Sequence, residues 1–145
     1  MPASPDIDLL IGSHVHVVQP VQRIGNKYVL YGLGNFLSNQ SARCCPAATK
    51  DGVIALVDVR RRGDRLVAVR VRYTPTWVEP GTYRVLPVAV ALDDPAAPAA
   101  RRVALTASWR RTVAAITLLG GRAGSARPDR EPAPSHVTDG VGRGR

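Results

Sequence analysis

The stretch Asp8-Leu9-Leu10-Ile11-Gly12-Ser13-His14-Val15-His16-Val17-Val18-Gln19-Pro20 decides how the rest of the chain reads. Asp8 to Ile11 is a short apolar run stopped by Gly12, the pattern of a buried strand that hands the chain to a loop at its C-terminal end. In extended chain, residues two apart project to the same side, so the His14 and His16 imidazoles are expected to face one point beyond the strand tip. Gly12, with no Cβ, lets the backbone turn as the rings are aimed. Taken alone, a His-x-His pair fits either two nitrogen ligands for a metal or two solvated histidines.

Downstream the chain stays strand-like for most of its first 92 residues. Val17 to Ile24 and Tyr28 to Leu33 flank Gly25-Asn26, a dipeptide suited to a tight hairpin. Val53 to Val59 is almost continuously apolar and reads as a strand buried on both faces. Leu66 to Tyr73 alternates, placing Val67, Val69, Val71 and Tyr73 on one side and Arg70 and Arg72 on the other, after a polar turn at Arg61-Arg62-Gly63-Asp64. Asp93-Asp94-Pro95-Ala96-Ala97-Pro98 then breaks the pattern, and its acids are expected to cap a turn. Ala99 to Leu119 has helical spacing, with Val103, Ala107, Val113 or Ala114, and Leu118 near one face and the arginines mostly elsewhere, before a stop at Gly120-Gly121. With one helix-period segment, and that one last, the βαβ crossovers of a parallel sheet are missing. The fold class is therefore α/β or α+β, strand-rich with one late helix.

Composition narrows the classes of function. The chain has 145 residues, room for one domain of ordinary size. Aromatic residues make up 5%, with one Phe, so the core must be built from Val, Leu, Ile and Ala, and Trp77 and Trp109 read as packing residues. No apolar run approaches the roughly 18–20 residues that cross a bilayer. Met1 to Asp6 lacks a basic segment followed by an apolar one, so the location expected for the chain as written is cytoplasmic. Cys44 and Cys45 are adjacent, which reads as two reduced loop thiols and falls short of a four-ligand zinc site. Residues 120–145 are Gly, Pro, Arg and Ser with little large and apolar, the composition of a disordered tail in which His136 is solvated.

The opening stretch, with Asn26-Lys27-Tyr28-Val29-Leu30-Tyr31-Gly32-Leu33-Gly34-Asn35-Phe36 after it, closely resembles the C-terminal core of the bacterial capsule-synthesis family, the CapA or poly-γ-glutamate biosynthesis type. That family is similar in fold to the calcineurin-like metallophosphoesterases. Its sequences typically carry Gly-x-His-x-His-Val-x-Gln-Pro, a hairpin, and then Tyr-Ser-Leu-Gly-Asn-Phe; here Gly32 stands where Ser is common. The resemblance extends over residues 5–119, through Tyr73-Thr74-Pro75-Thr76-Trp77-Val78 and the Arg-rich segment around Trp109. It implies the C-terminal part of a metallophosphoesterase-like sandwich, a metal-dependent hydrolase activity, and an anionic polymer or phosphoryl substrate. It also implies that the parent family works at or outside the membrane. His14 and His16 match the pair that ligates a divalent metal pair in such folds, and Gln19, Gly34 and Asn35 match positions lining the same pocket.

Two divalent ions lower the pKa of bound water and neutralise charge developing on a phosphoryl group. Imidazoles are neutral ligands, so carboxylates must supply the negative charge and the bridge. In the superfamily these come from an Asp-x-His, a Gly-Asp and a Gly-Asn-His followed by an acid; the first and last do not occur here, and the one Gly-Asp, Gly63-Asp64, belongs to the polar turn between two strands. Gly34-Asn35-Phe36 is not the last of them, because Phe cannot ligate a metal. The expectation is a truncated CapA-like domain that keeps the His-x-His limb of the centre, lacks the carboxylate limb, and by itself has little or no hydrolytic activity. A variant of this reading has a separate chain donate the missing N-terminal half.

A reading from another class rests on charge. Twenty Lys and Arg against eleven Asp and Glu give +9, with clusters at Arg60-Arg61-Arg62, Arg101-Arg102 and Arg110-Arg111. Such charge attracts phosphate backbones. No stacking aromatics alternate with these arginines, however, and no helix-turn-helix, zinc-finger or RNP pattern is present, so a solvated basic surface is favoured over a nucleic-acid-binding module.

Overall fold

The computed structural model describes residues 6–40, 43–119 and 126–129. Its elements form an α+β fold of two sheets and one main helix. Strands β1 (Leu9–Ile11), β2 (Val21–Ile24) and β3 (Lys27–Leu30) make the first sheet in the order β1-β3-β2. Gly25-Asn26 closes the β2–β3 hairpin, with Ile24 opposite Lys27, as the dipeptide predicts. β1 runs parallel to β3, Leu9 opposite Tyr28 and Ile11 opposite Leu30. The parallel pair is reached through this hairpin and not through a helix.

The second sheet is built on a long hairpin of β4 (Asp51–Arg62) and β5 (Arg65–Val78), turned at Gly63-Asp64. β6 (Val85–Pro87) adds to the inner end of β5. Two helices follow, α1 (Val88–Leu92) and α2 (Ala99–Thr117), and β7 (Arg127–Pro128) pairs parallel to β5 at Arg72 and Tyr73. Thus residues 126–129, within the stretch expected to be disordered, lie against the sheet; Gly120-Gly121 and His136 fall outside the described residues.

Both sheets contribute to one core. Val21, Tyr28 and Leu30 from the first, with Val18 just before β2, meet Val53, Ala68, Val71 and Tyr73 from the second, and Ile116 of α2 closes the cluster. A second cluster joins Trp77, Val88 and Leu105, with Trp109 packed against it, so both tryptophans are packing residues as expected. Asp94 makes the expected turn, its Oδ1 accepting from the Ala96 N–H at 2.9 Å.

Several strand and helix faces differ from the sequence expectation. β1 is not buried: Leu10 and Ile11 are 40% and 54% exposed, because among the described residues β1 is hydrogen-bonded to β3 alone. β4 is covered at Asp51 to Val53, but its outer half, paired to the outer half of β5, runs out into solvent. A bulge opposite Asp58/Val59 leaves Val69 as an extra residue, since Asp58 pairs with Arg70 and Val59 with Ala68. The inward set on β5 is therefore Ala68, Val71 and Tyr73, in place of an unbroken odd-numbered row. α1 is a short helix in a region that reads as strand, started by Pro87, whose ring presets the backbone entering the turn.

The largest change concerns α2. Val103 and Leu118, expected on its inner face, are 71% and 74% exposed, while Leu105, Ser108, Thr112 and Ile116 are buried. Ser108 and Arg111 both bond to the buried carboxylate of Asp51, and this polar clasp sets the rotation of a helix whose apolar residues are too scattered to do so. The cysteine expectation is also corrected: Cys44 and Cys45 are disulfide-bonded to each other. Being neighbours in a turn, they close only that turn and join no distant segments.

Candidate functional site

Strand β1 ends at Ile11, and the histidines follow in a loop, not in extended chain. Gly12 docks this loop on the sheet, its N–H bonding Leu30 O at 2.7 Å; a Cβ there would come within 2.2 Å of Tyr31 O. His14 has φ 83°, in the left-handed region that few residues with side chains adopt. Strain of this kind, of order 1–3 kcal/mol, persists only where the surroundings impose it. The strand alternation that was to aim both imidazoles to one side is thus absent, and both side chains lie exposed at the C-terminal tip of β1.

The structure joins His16 to Asn35. Asn35 Nδ2 donates to the backbone carbonyls of Thr49 at 2.9 Å and His16 at 3.3 Å, which fixes the amide's orientation. Its Oδ1, 3.0 Å from His16 Nδ1, is consequently an acceptor, so Nδ1 carries the proton of the neutral ring. The lone pair is left on Nε2, and the ring is held in the way that outer partners hold metal-ligating histidines.

Gly34 places Asn35 for this contact. It has φ 71°, and a Cβ would meet Asp51 O at 2.4 Å, so only glycine lets the chain pass this close to β4. Gly34 bridges to Gly52, and Asn35 N–H donates to Asp51 O at 3.3 Å. Gln19 is less involved: its N–H bonds Gly32 O at 2.9 Å, and no hydrogen bond ties its side chain to either histidine.

Asp51 is the residue that sequence reasoning passed over. It is 2% exposed and accepts from Ser108 Oγ at 2.7 Å, Arg111 Nε at 2.7 Å and Arg111 Nη2 at 3.0 Å. Its backbone supports Asn35 while its side chain anchors α2. An acid opening an apolar run, with Ser and Arg three apart on a later helix, is the signal that could have found it.

Among the described residues no three His, Cys, Asp or Glu side chains come together as a metal-binding group. The structure brings His16 to Asn35, and among the described residues no hydrogen bond joins the two imidazoles. Part of the basic surface is paired locally, since Arg65, Arg72, Arg84, Arg101 and Arg111 each meet a carboxylate within 3.2 Å. No described helix is long and apolar enough to cross a membrane. Residues 3–40 match the family model described as bacterial capsule synthesis protein PGA_cap. No curated protein and no solved structure matches the chain.

Proposed function

We propose, from the match of residues 3–40 to the capsule-synthesis family model, that this chain provides the His-x-His limb of a phosphoesterase-like metal centre. The observation that carries the reading is the His16–Asn35 contact, which leaves Nε2 of an exposed imidazole as its free nitrogen. His14, in its left-handed loop conformation, is the second nitrogen donor. The carboxylates that would complete and bridge the centre come from sequence outside the described residues, in the same polypeptide or in a partner chain. The domain is then a partial CapA-like unit over residues 5–119, acting on an anionic polymer or phosphoryl substrate when completed.

Without bridging carboxylates, two neutral imidazoles hold a divalent ion weakly. Calorimetric titration of the chain with zinc or manganese is expected to show binding weaker than about 1 µM that is lost in His14→Ala/His16→Ala, and no phosphoester hydrolysis. Sub-micromolar binding dependent on both histidines would reveal a complete site within the chain and overturn the proposal. So would binding indifferent to their removal.

A further inference from the structure

The end of the first sheet away from the histidine loop faces a cavity of about 460 Å³, within the size range of small-ligand sites. Arg23 and Tyr28 line it from the β2–β3 hairpin, Val69 to Arg72 from β5, and Ala126 and Pro128 from the strap that includes β7. Three arginines, Arg23, Arg70 and Arg72, are among its lining residues. Arg23 lies over the Tyr28 ring, 5.6 Å from its centroid, and has no carboxylate partner among the described residues. Arg70 reaches Asp58 only at 3.8 Å, with its side chain 69% exposed. Arg72 bonds Asp58 at 3.2 Å and Asp129 from the strap, while its Nε is buried with no hydrogen-bond partner in the described structure.

A buried N–H without an acceptor is uncommon in folded proteins, and a ligand oxygen is one way to satisfy it. The Asp58 hydrogen bond above all, then the charges of Asp58 and Asp129, hold the Arg72 guanidinium above the ordinary arginine range, so it is a permanent cation. The strap itself shows what fits. Asp129 is brought in on a two-residue pairing and one further bond, its N–H to Tyr73 O at 2.8 Å, a slight hold for a segment that delivers a carboxylate to an arginine. With Asp129 withdrawn, Asp58, bonded to Arg70 and Arg72, is the one carboxylate among the described residues that meets any of the three lining arginines, and two positive charges are left over. Their planar forks suit carboxylates, and the Val69, Val71 and Tyr28 walls suit an apolar stem between them.

We propose that this cavity binds a small polycarboxylate, and that Asp129 is an internal placeholder which the ligand displaces. The site lies apart from the histidine loop and does not depend on the metal reading.

The test is calorimetric titration of the full chain with citrate at constant ionic strength, with inorganic phosphate and sodium chloride as parallel titrants. Asp129→Asn is expected to tighten citrate binding at least tenfold, and adding Arg23→Gln to that variant to weaken it at least tenfold. Arg23 is exposed, so an unchanged melting curve will show that its loss leaves the fold intact. Amide NMR shifts are expected at Tyr28, Val69 and Val71. The proposal is overturned if Asp129→Asn leaves the affinity unchanged, if Arg23→Gln has no effect, if phosphate binds as tightly as citrate, or if chloride at equal ionic strength gives the same response.

Discussion

Arg111 grips Asp51 at two points, Nε to Oδ2 at 2.7 Å and Nη2 to Oδ1 at 3.0 Å, and so pins α2 to the first residue of β4. The carboxylate is buried and Arg111 is only about one-third exposed. Breaking a buried pair from one side costs about 3–5 kcal/mol, because the other charge is left uncompensated. Arg111→Ala should fall near the lower end, since Ser108 still donates to Asp51 and water can reach the vacated position. Urea denaturation measures the loss; a change below about 1 kcal/mol would mean that the clasp contributes little.

The same aspartate carries the histidine loop through its backbone, and Gly34 is the narrow point of that route. Gly34→Ala combines a left-handed conformation with a Cβ set 2.4 Å from Asp51 O, a contact with backbone that cannot swing aside. The expected loss is about 1–3 kcal/mol by denaturant titration, with displacement of Asn35. An alanine variant as stable as the parent contradicts the close approach.

Asn35 sets the proton position on His16. In the parent chain, long-range nitrogen–proton NMR of the neutral ring is expected to show the Nδ1–H tautomer, which is the minor form of a free histidine. In Asn35→Ala the acceptor is gone and the population should move toward Nε2–H. Identical ring spectra in the two proteins would remove Asn35 as a positioning residue and, with it, the main support for His16 as a ligand.

Glu79 gives stability a pH dependence. Its carboxyl is held below the ordinary glutamate range, first by the Thr82 hydroxyl at 2.6 Å and then by Arg84 and Arg101, against the opposing effect of burial. A carboxylate whose folded pKa is depressed stabilises the protein above its unfolded pKa near 4.5, and that contribution is lost as pH falls through the folded value. Melting temperature should drop on acidification below about pH 4.5, and less steeply in Glu79→Gln, which begins from a lower value at neutral pH. Parallel slopes for the two proteins would assign the acid sensitivity to other groups.

The hairpins, the late helix and the His-x-His pair were legible in the sequence because each rests on neighbours. Gly25-Asn26 and Gly63-Asp64 turn the chain locally whatever lies around them, and the spacing from Ala99 onward is helical wherever it packs. The motif match across residues 3–40 is likewise a property of local order along the chain. Which face each element buries was settled by partners distant in sequence. The bulge at Val69 re-aimed half of β5, Asp51 turned α2 so that Ser108 faces inward and Val103 faces water, and Asn35 oriented a histidine nineteen positions away. Local propensity acts through bonds between near neighbours, whereas burial and charge pairing depend on which residues meet after the chain has closed on itself, and only the folded structure contains those meetings.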